Sequence, residues 1–393
     1  MSYSLLVNVA IVSIIAFIVV MLIHPYIVKF AKKHNIVDNP DARKLQKTPI
    51  PILGGVAVFI GLIFGFFATS ILFDEFTTLL PVFTAISVML CVGVADDLFE
   101  LTPRLRFFIE LIVALLLIFW SGLSLNDFHG LWGVCVVPLW VSLPLSIVAI
   151  VGIINATNLV DGVDGLSSGY CISTSIAFFV MFYYAGCVQM AILCALSTGA
   201  LLPFFFHNVF GSKSKMFIGD GGSLMMGVVM STYIIHIISD GGGCEKYANE
   251  GISLVALTLA VMCVPVFDCV RVMTMRILRK TSPFRPDKTH MHHLFVELGF
   301  SHLGTTFSIL LMNALVVLCW RISYDLKASI DVQFYVVIIS GILLTAGFYK
   351  LMRINIKHNT ALYRLMTRIG AKTHIENSKW WITLQKAVDF KHK

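Results

Sequence analysis

Eleven apolar stretches recur along the 393 residues of this chain, each close to the length that a bilayer crossing requires. A helix needs roughly 20 residues to cross a hydrocarbon core of about 30 Å. With 58% apolar and 13% charged residues, the chain also has too little polar surface to dissolve as soluble domains. We therefore predict an all-α polytopic membrane protein with about eleven transmembrane helices. The stretches lie near residues 4–23, 52–73, 77–95, 107–123, 134–154, 168–185, 187–206, 217–238, 251–268, 305–320 and 331–349.

Lysine and arginine are distributed one-sidedly over the loops between these stretches. Of the 29 Lys and Arg residues, 26 lie in the loops after odd-numbered spans or in the tail after span 11. Because Lys and Arg collect in cytoplasmic loops, we predict an N-terminus outside and a C-terminus in the cytoplasm. The net charge of +7 then reflects topology and does not indicate a nucleic-acid partner.

The loops are too short for a separate folded domain. We therefore predict a single transmembrane domain, residues 1–350, which is followed by a basic cytoplasmic tail, residues 351–393. The tail carries Trp380 and Trp381 among regularly spaced basic residues, so it either lies along the membrane surface or remains solvated. The nine cysteines are scattered and predict neither a disulfide framework nor a zinc ribbon.

Five polar clusters lie in or beside the loops that we predict to be cytoplasmic. In the first, residues 38–55, Arg43 and Lys47 are candidates for binding anionic phosphates, although a plain positive-inside loop has the same composition. In the second, Asp96 and Asp97 end span 3. Carboxylates at this water boundary suit Mg²⁺, which takes oxygen ligands, and helix capping is the alternative.

The third and fourth clusters combine acids with glycines. Asn155, Asn158, Asp161 and Asp164 are spaced three apart and would line one side of a helical turn. Four amide or acid groups within ten residues at a membrane edge indicate a functional site rather than a structural one. In the fourth cluster, Asp220 stands between glycines where span 8 begins, so it either caps that helix or contributes to the site.

The fifth cluster contains His290, His292 and His293 in a basic loop. No Cys or His-Glu-x-x-His pattern accompanies them, so we favour phosphate binding over zinc, and a plain solvated loop is the other alternative. A transporter would place its ionisable residues near the middle of the bilayer between broken helices. Here all five clusters gather on one side, which favours an enzyme that works at the membrane surface.

Four of the clusters match a set of ordered motifs: DD, N-x-x-N-x-x-D-G-x-D-G-L, G-D-x-G-S and H-x-H-H. Over roughly residues 25–300, the chain resembles the polyprenyl-phosphate N-acetylhexosamine-1-phosphate transferases, which belong to glycosyltransferase family 4. Within that family it looks like the bacterial undecaprenyl-phosphate N-acetylglucosamine-1-phosphate transferases, which initiate O-antigen, common-antigen or teichoic acid synthesis. The murein-precursor branch usually has three consecutive His, whereas Leu294 follows His293 here.

The resemblance implies a role for each matching residue. It makes Asn158 and Asp220 ligands of Mg²⁺, with Mn²⁺ as the alternative ion. It assigns catalysis to Asp96, Asp97, Asp161, Asp164 and His292, and Asp96 is the usual candidate for a general base. It assigns substrate binding to Arg43, Lys47, Asn155, Asp161, His290, His292 and His293.

The resemblance also implies partners and a location. The lipid bilayer, undecaprenyl phosphate and a UDP-N-acetylhexosamine would be the partners, and a homodimer is one compatible assembly. The enzyme would lie in the bacterial inner membrane with its active site facing the cytoplasm. The alternatives are phospho-N-acetylmuramoyl-pentapeptide transferase and, outside the family, a transporter for a lipid or nucleotide sugar.

Overall fold

The structure is a computed structural model that describes residues 3–40, 48–73, 77–122, 124–282 and 288–390. In these ranges the chain is almost entirely helical, and its one sheet pairs β1 (Val37–Asp38) with β2 (Ile50–Pro51). The helices in chain order are α1 (Tyr3–Lys33), α2 (Gly54–Leu72), α3 (Leu80–Phe99), α4 (Pro103–Ser121), α5 (Leu139–Leu159), α6 (Leu166–Ala185), α7 (Val188–Phe210), α8 (Gly219–Ile238), α9 (Glu245–Asn249), α10 (Leu254–Val261), α11 (Cys263–Leu278), α12 (Met291–Glu297), α13 (His302–Asp325), α14 (Ile330–Ile342), α15 (Phe348–Lys357), α16 (Ala361–Ala371) and α17 (Lys379–Val388).

The predicted class, an all-α polytopic membrane protein, is confirmed, and a helix overlaps each of the eleven apolar stretches. In the part of the chain that the structure describes, nine helices are long and apolar enough to cross a membrane. The helices α10 and α11 become a tenth crossing if they are taken as one span bent by 77°. The predicted stretch 107–123 lies on α4, which is not among these crossings and carries the charged residues Arg104, Arg106 and Glu110. The count of eleven spans and their orientation therefore stay predictions.

Helix α8 is the centre of the bundle, because almost all of its residues are buried. It packs against α3 and α5. A Cβ atom on Gly93 of α3 would lie 2.4 Å from the backbone carbon of Asp220, so a glycine is required where the two helices meet. This close approach brings the end of α3, with its two acids, beside the beginning of α8.

The connection between α7 and α8 is held by backbone hydrogen bonds to the start of α2. Phe217 donates its N–H to the oxygen of Pro51 at 2.8 Å, and Gly55 donates its N–H to the oxygen of Ile218 at 2.7 Å. A Cβ atom on Gly55 would lie 2.3 Å from the nitrogen of Gly222. The residues that precede Asp220 are therefore fixed by β2 and α2.

The C-terminal segment packs on the bundle at the same end. A π-helical segment, Leu343–Gly347, joins α14 to α15, so one continuous helix crosses the predicted domain boundary at residue 350. Trp381 of α17 is buried against the ring of Phe210 at 4.7 Å, whereas Trp380 is exposed. The division into two domains stays a prediction.

Candidate active site

A cavity of about 1170 Å³ at the start of α8 gathers residues from all five clusters, the first of which contributes Asp38 and Ile52 among others. We call it the polar cavity, and it is lined, among others, by Asp96, Asp97, Asn155, Asn158, Asp161, Asp164, Asp220, His290, His292 and His293. The predicted binding residues Arg43 and Lys47 lie outside the described residues. The structure thus brings all the other candidate residues predicted from the sequence to this one cavity. The chemical role of each stays a prediction.

Asp97 holds the beginning of α8 in place. Its Oδ1 accepts a hydrogen bond from the backbone N–H of Asp220 at 3.1 Å, and its Oδ2 accepts one from Gly221 at 3.4 Å. Gly219 has a φ of +71°, and a Cβ atom there would lie 2.6 Å from Asp97 Oδ2. Asp97 therefore caps a helix, but that helix is α8 rather than its own, and the cap orients Asp220.

Arg106, near the start of α4, connects several polar side chains of the cavity. Its Nη1 donates to Asp96 Oδ2 at 3.2 Å, and its Nη2 donates to Asn155 Oδ1 at 3.3 Å. Its Nε lies 3.4 Å from Glu110 Oε1, while Asn155 donates its Nδ2 to Glu110 Oε2 at 2.5 Å. Arg106 and Glu110 were not among the residues predicted from the sequence, although residues four apart on a helix share one face.

Asn158 and Asp220 are neighbours across the cavity. Asn158 donates its Nδ2 to Asp220 Oδ1 at 2.8 Å and to Ser223 Oγ at 2.9 Å. Rotation of the amide by 180° exchanges its nitrogen and oxygen with little change in shape, so Asn158 Oδ1 can take the same place. Among the described residues, no three His, Cys, Asp or Glu side chains form a metal-binding group. The pair fits Mg²⁺, which keeps several waters and also binds substrate phosphates.

Asp161 lies in the loop between α5 and α6, close to other carboxylates. Desolvation, together with the negative charges of Asp220 and Asp97, raises the pKa of Asp161 to about 8. Desolvation is the larger cause of this shift, and the rest of it comes from the negative charges gathered at this end of the polar cavity. A divalent cation placed among these oxygens would relieve the repulsion, which is a second reason that the residues fit Mg²⁺.

Asp164 differs from Asp161, because basic groups surround it. Lys215 Nζ donates to Asp164 Oδ2 at 2.6 Å, and His302 Nδ1 lies at the same distance from this oxygen. Burial by itself would raise the pKa of Asp164, but the contacts with His302 and Lys215 outweigh burial and lower it. Asp164 is therefore an ion-paired carboxylate. Lys215 and His302 were not predicted from the sequence, since neither belongs to a motif.

His292 is packed against the loop that carries the acids. A Cβ atom on Gly162 would lie 2.1 Å from His292 Nε2, so the glycine makes room for the ring. Burial, followed by the charges of His293 and His290, lowers the pKa of His292 to about 3. The ring is thus neutral at physiological pH and does not present a positive charge to the cavity.

The polar cavity therefore has two chemically different sides. The α3, α5 and α8 side presents carboxylates and amides, balanced by Arg106, and the α12 side presents histidines. Such a site suits a substrate with several phosphate groups, because a metal ion and basic side chains can share its charge. Phosphoryl transfer is the reaction class that this arrangement supports best.

Known proteins resemble the chain along most of its length. The model of glycosyl transferase family 4 matches residues 79–238. A Bacillus subtilis (strain 168) protein named "probable undecaprenyl-phosphate N-acetylglucosaminyl 1-phosphate transferase" is 31% identical over 316 residues, which are 78% of this chain and 83% of the relative.

Two further relatives are named undecaprenyl-phosphate alpha-N-acetylglucosaminyl 1-phosphate transferase. The Yersinia pestis protein is 30% identical over 296 residues, which are 74% of this chain and 77% of the relative. The Escherichia coli (strain K12) protein is 30% identical over 293 residues, which are 73% of this chain and 76% of the relative. With the membrane helices and the ordered motifs, these similarities show that the chain belongs to glycosyl transferase family 4.

Proposed function

We propose that the protein transfers N-acetylglucosamine-1-phosphate, or a related N-acetylhexosamine-1-phosphate, from a UDP-sugar to undecaprenyl phosphate and releases UMP. The observation that carries the proposal is the polar cavity, where acids, amides and histidines from chain-distant helices line one volume. That volume, about 1170 Å³, is large enough for a nucleotide sugar beside a lipid phosphate. The names of the relatives support the choice of sugar and lipid.

The reaction would be a direct attack by the lipid phosphate. A phosphate monoester has a second pKa near 6 and is mostly dianionic at neutral pH, so its oxygen needs no strong base. That oxygen would form a bond to the sugar-bearing phosphorus of the UDP-sugar. The bond from this phosphorus to the bridging oxygen would break, and UMP would leave with the electron pair.

Mg²⁺ would supply charge neutralisation while UMP leaves. Asp220 and Asn158 would hold the ion, and the negative charge of the nearby Asp161 carboxylate would strengthen its binding. Asp97 would keep Asp220 in position through the start of α8, and Arg106 would hold Asp96 and Asn155. The remaining task of the protein is to bring two anions together, which the basic and amide groups support.

The proposed site lies on the cytoplasmic side of a bacterial inner membrane. The basic loops on this side and the bacterial source of the relatives support that location. The reaction would begin the synthesis of a lipid-linked surface polysaccharide. The murein-precursor transferase is not favoured, because Leu294 follows His293 in place of a third consecutive histidine and the three relatives are named for N-acetylglucosamine.

The test is UMP release by the purified full-length protein in detergent with Mg²⁺ and undecaprenyl phosphate. UDP-N-acetylglucosamine and UDP-N-acetylmuramoyl-pentapeptide are compared as donors. We expect release with the first donor, loss with EDTA, and a reduction of about 10²–10³-fold in the Asp220→Asn variant. Asp325→Asn is the matched control, since Asp325 is exposed at the end of α13 and pairs only weakly with Arg321. Release with the pentapeptide donor alone would reject the proposal.

A second experiment separates direct attack from a two-step route. In the two-step route an aspartate attacks first and a phospho-enzyme accumulates when the lipid acceptor is absent. We expect no label on the protein after incubation with UDP-sugar labelled in the sugar-bearing phosphate. A labelled protein that passes its label to undecaprenyl phosphate would establish the two-step route instead.

A further inference from the structure

A buried carboxylate on α11, outside the lining of the polar cavity, contacts one of the histidines that line it. Asp268 is 7% exposed and is absent from the lining of the polar cavity. Its Oδ2 lies 3.0 Å from His290 Nδ1 and accepts the backbone N–H of Met291 at 3.1 Å. Because an ionised carboxylate only accepts hydrogen bonds, His290 must carry a proton on Nδ1.

Arg271 fixes the second oxygen of the same carboxylate. Its Nε and Nη2 donate to Asp268 Oδ1 at 3.1 and 2.6 Å, and its Nη2 also donates to the oxygen of Thr289 at 2.6 Å. The guanidinium carbon lies 3.9 Å from the centre of the Tyr349 ring on α15. Arg271 therefore fixes the Asp268 oxygen that does not contact His290. It also links the backbone just before His290 to α11.

His290 is left with one unused nitrogen. Its Nε2 is buried and has no hydrogen-bond partner within the described residues, and the residue lines the polar cavity. A buried polar atom without a partner is costly unless something binds it. The His290 ring is also parallel to that of His292, with an interplanar angle of 1° and 5.8 Å between centroids. Its orientation is thus set from two directions.

We propose that Asp268 is a positioning residue, which turns His290 so that Nε2 contacts the diphosphate of the nucleotide sugar. The inference rests on the proposed function for the identity of that ligand. The geometry does not depend on it, because Asp268, Arg271 and His290 form one connected unit between α11 and α12. In metal sites, carboxylates that orient a ligating histidine contribute about 10–100-fold, and a similar effect is expected here.

The test is a double-mutant cycle on kcat/KM for the UDP-sugar, measured with the full-length protein. We expect Asp268→Asn and His290→Ala each to lower kcat/KM about 10–100-fold. If Asp268 acts through His290, adding Asp268→Asn to His290→Ala causes no further loss. Losses that multiply in the double variant would overturn the proposal. Asp325→Asn, the same change at an exposed ion pair on α13, should leave kcat/KM unchanged.

A further variant and readout separate positioning from folding. Asp268→Glu keeps the charge but moves the carboxylate, so it should lower kcat/KM in the native background and not in His290→Ala. If its only effect is a lower thermal midpoint, with kcat and KM unchanged, Asp268 is merely structural and the proposal fails. Because the substrate contact is made by His290, both Asp268 variants should divide their loss between kcat and KM as His290→Ala does.

The orientation can also be measured without turnover. In full-length protein with ¹⁵N-labelled histidines, NMR should show, among the Nδ1-protonated rings, one whose signal disappears in His290→Ala and changes in Asp268→Asn. If that signal is present but no UMP is released from any donor, the proposed function fails while the positioning stands. If His290 carries its proton only on Nε2, the positioning itself is refuted.

Discussion

Acid should destabilise the protein through one buried side chain, His292. In the folded protein its pKa is lowered from 6.5 to about 3, because the ring is buried and lies beside His293 and His290. In the unfolded chain the same ring takes up a proton near pH 6.5. A histidine with a depressed folded pKa stabilises the unfolded state once it is protonated there. The contribution of His292 to stability is therefore full above pH 6.5 and is lost as the pH falls towards 3.

The size of the effect follows from the two pKa values. Between pH 7.5 and 5.5, protonation of His292 in the unfolded chain alone costs about 1.4 kcal/mol of folding free energy. For a chain of 393 residues this corresponds to a shift of roughly 2 °C in the thermal midpoint. His292→Gln keeps a polar side chain but removes the titration, so it should abolish this part of the acid sensitivity.

The assay is the thermal midpoint of the full-length protein in detergent at pH 7.5 and 5.5, for the native chain and for His292→Gln. The native midpoint should fall more than that of the variant, by roughly 2 °C. His358→Gln is the control, because His358 is exposed beyond the end of α15. Equal falls in the native and His292→Gln proteins would refute the view that this ring is buried and neutral.

Three other changes test how the cavity and the tail are held. Gly162→Ala should lower activity at least 10-fold, because a Cβ would lie 2.1 Å from the His292 ring, whereas Gly152→Ala, with nothing within 4 Å, should be silent in the same UMP assay. Arg106→Gln should lower kcat by about 10²-fold, with partial recovery at high Mg²⁺, because it leaves neighbouring carboxylates unbalanced. Asp389→Asn should speed trypsin removal of the tail, seen on gels, because the Asp389 carboxylate accepts backbone N–H groups of residues 212–214.

The helical membrane architecture was predictable because it depends on neighbours in the chain. Hydropathy is a property of consecutive residues, so each apolar stretch indicated a helix at nearly its correct place. Hydropathy did not predict that α4 would fall outside the candidate crossings, nor the bend between α10 and α11. There, packing within the bundle and buried ionisable side chains change what a hydropathy window alone would indicate.

The composition of the candidate site was also largely predictable, since its motifs carry unusual acids and histidines at fixed spacings. The partners of those residues were not. Lys215 and His302 bind Asp164 from 51 and 138 residues away, and Asp97 caps a helix 123 residues further along the chain. No local pattern encodes such a pairing.

Sequence alone therefore established that this is a polytopic membrane protein and which acids, amides and histidines to examine. Only the tertiary structure decided which of them are balanced by basic groups, such as Asp164, and which crowd together, such as Asp161. The physical reason is that hydrophobic spacing acts along the chain, whereas desolvation and charge pairing act through space between helices. The neutral state of His292 and the support of His290 by Asp268 belong to this second kind of information.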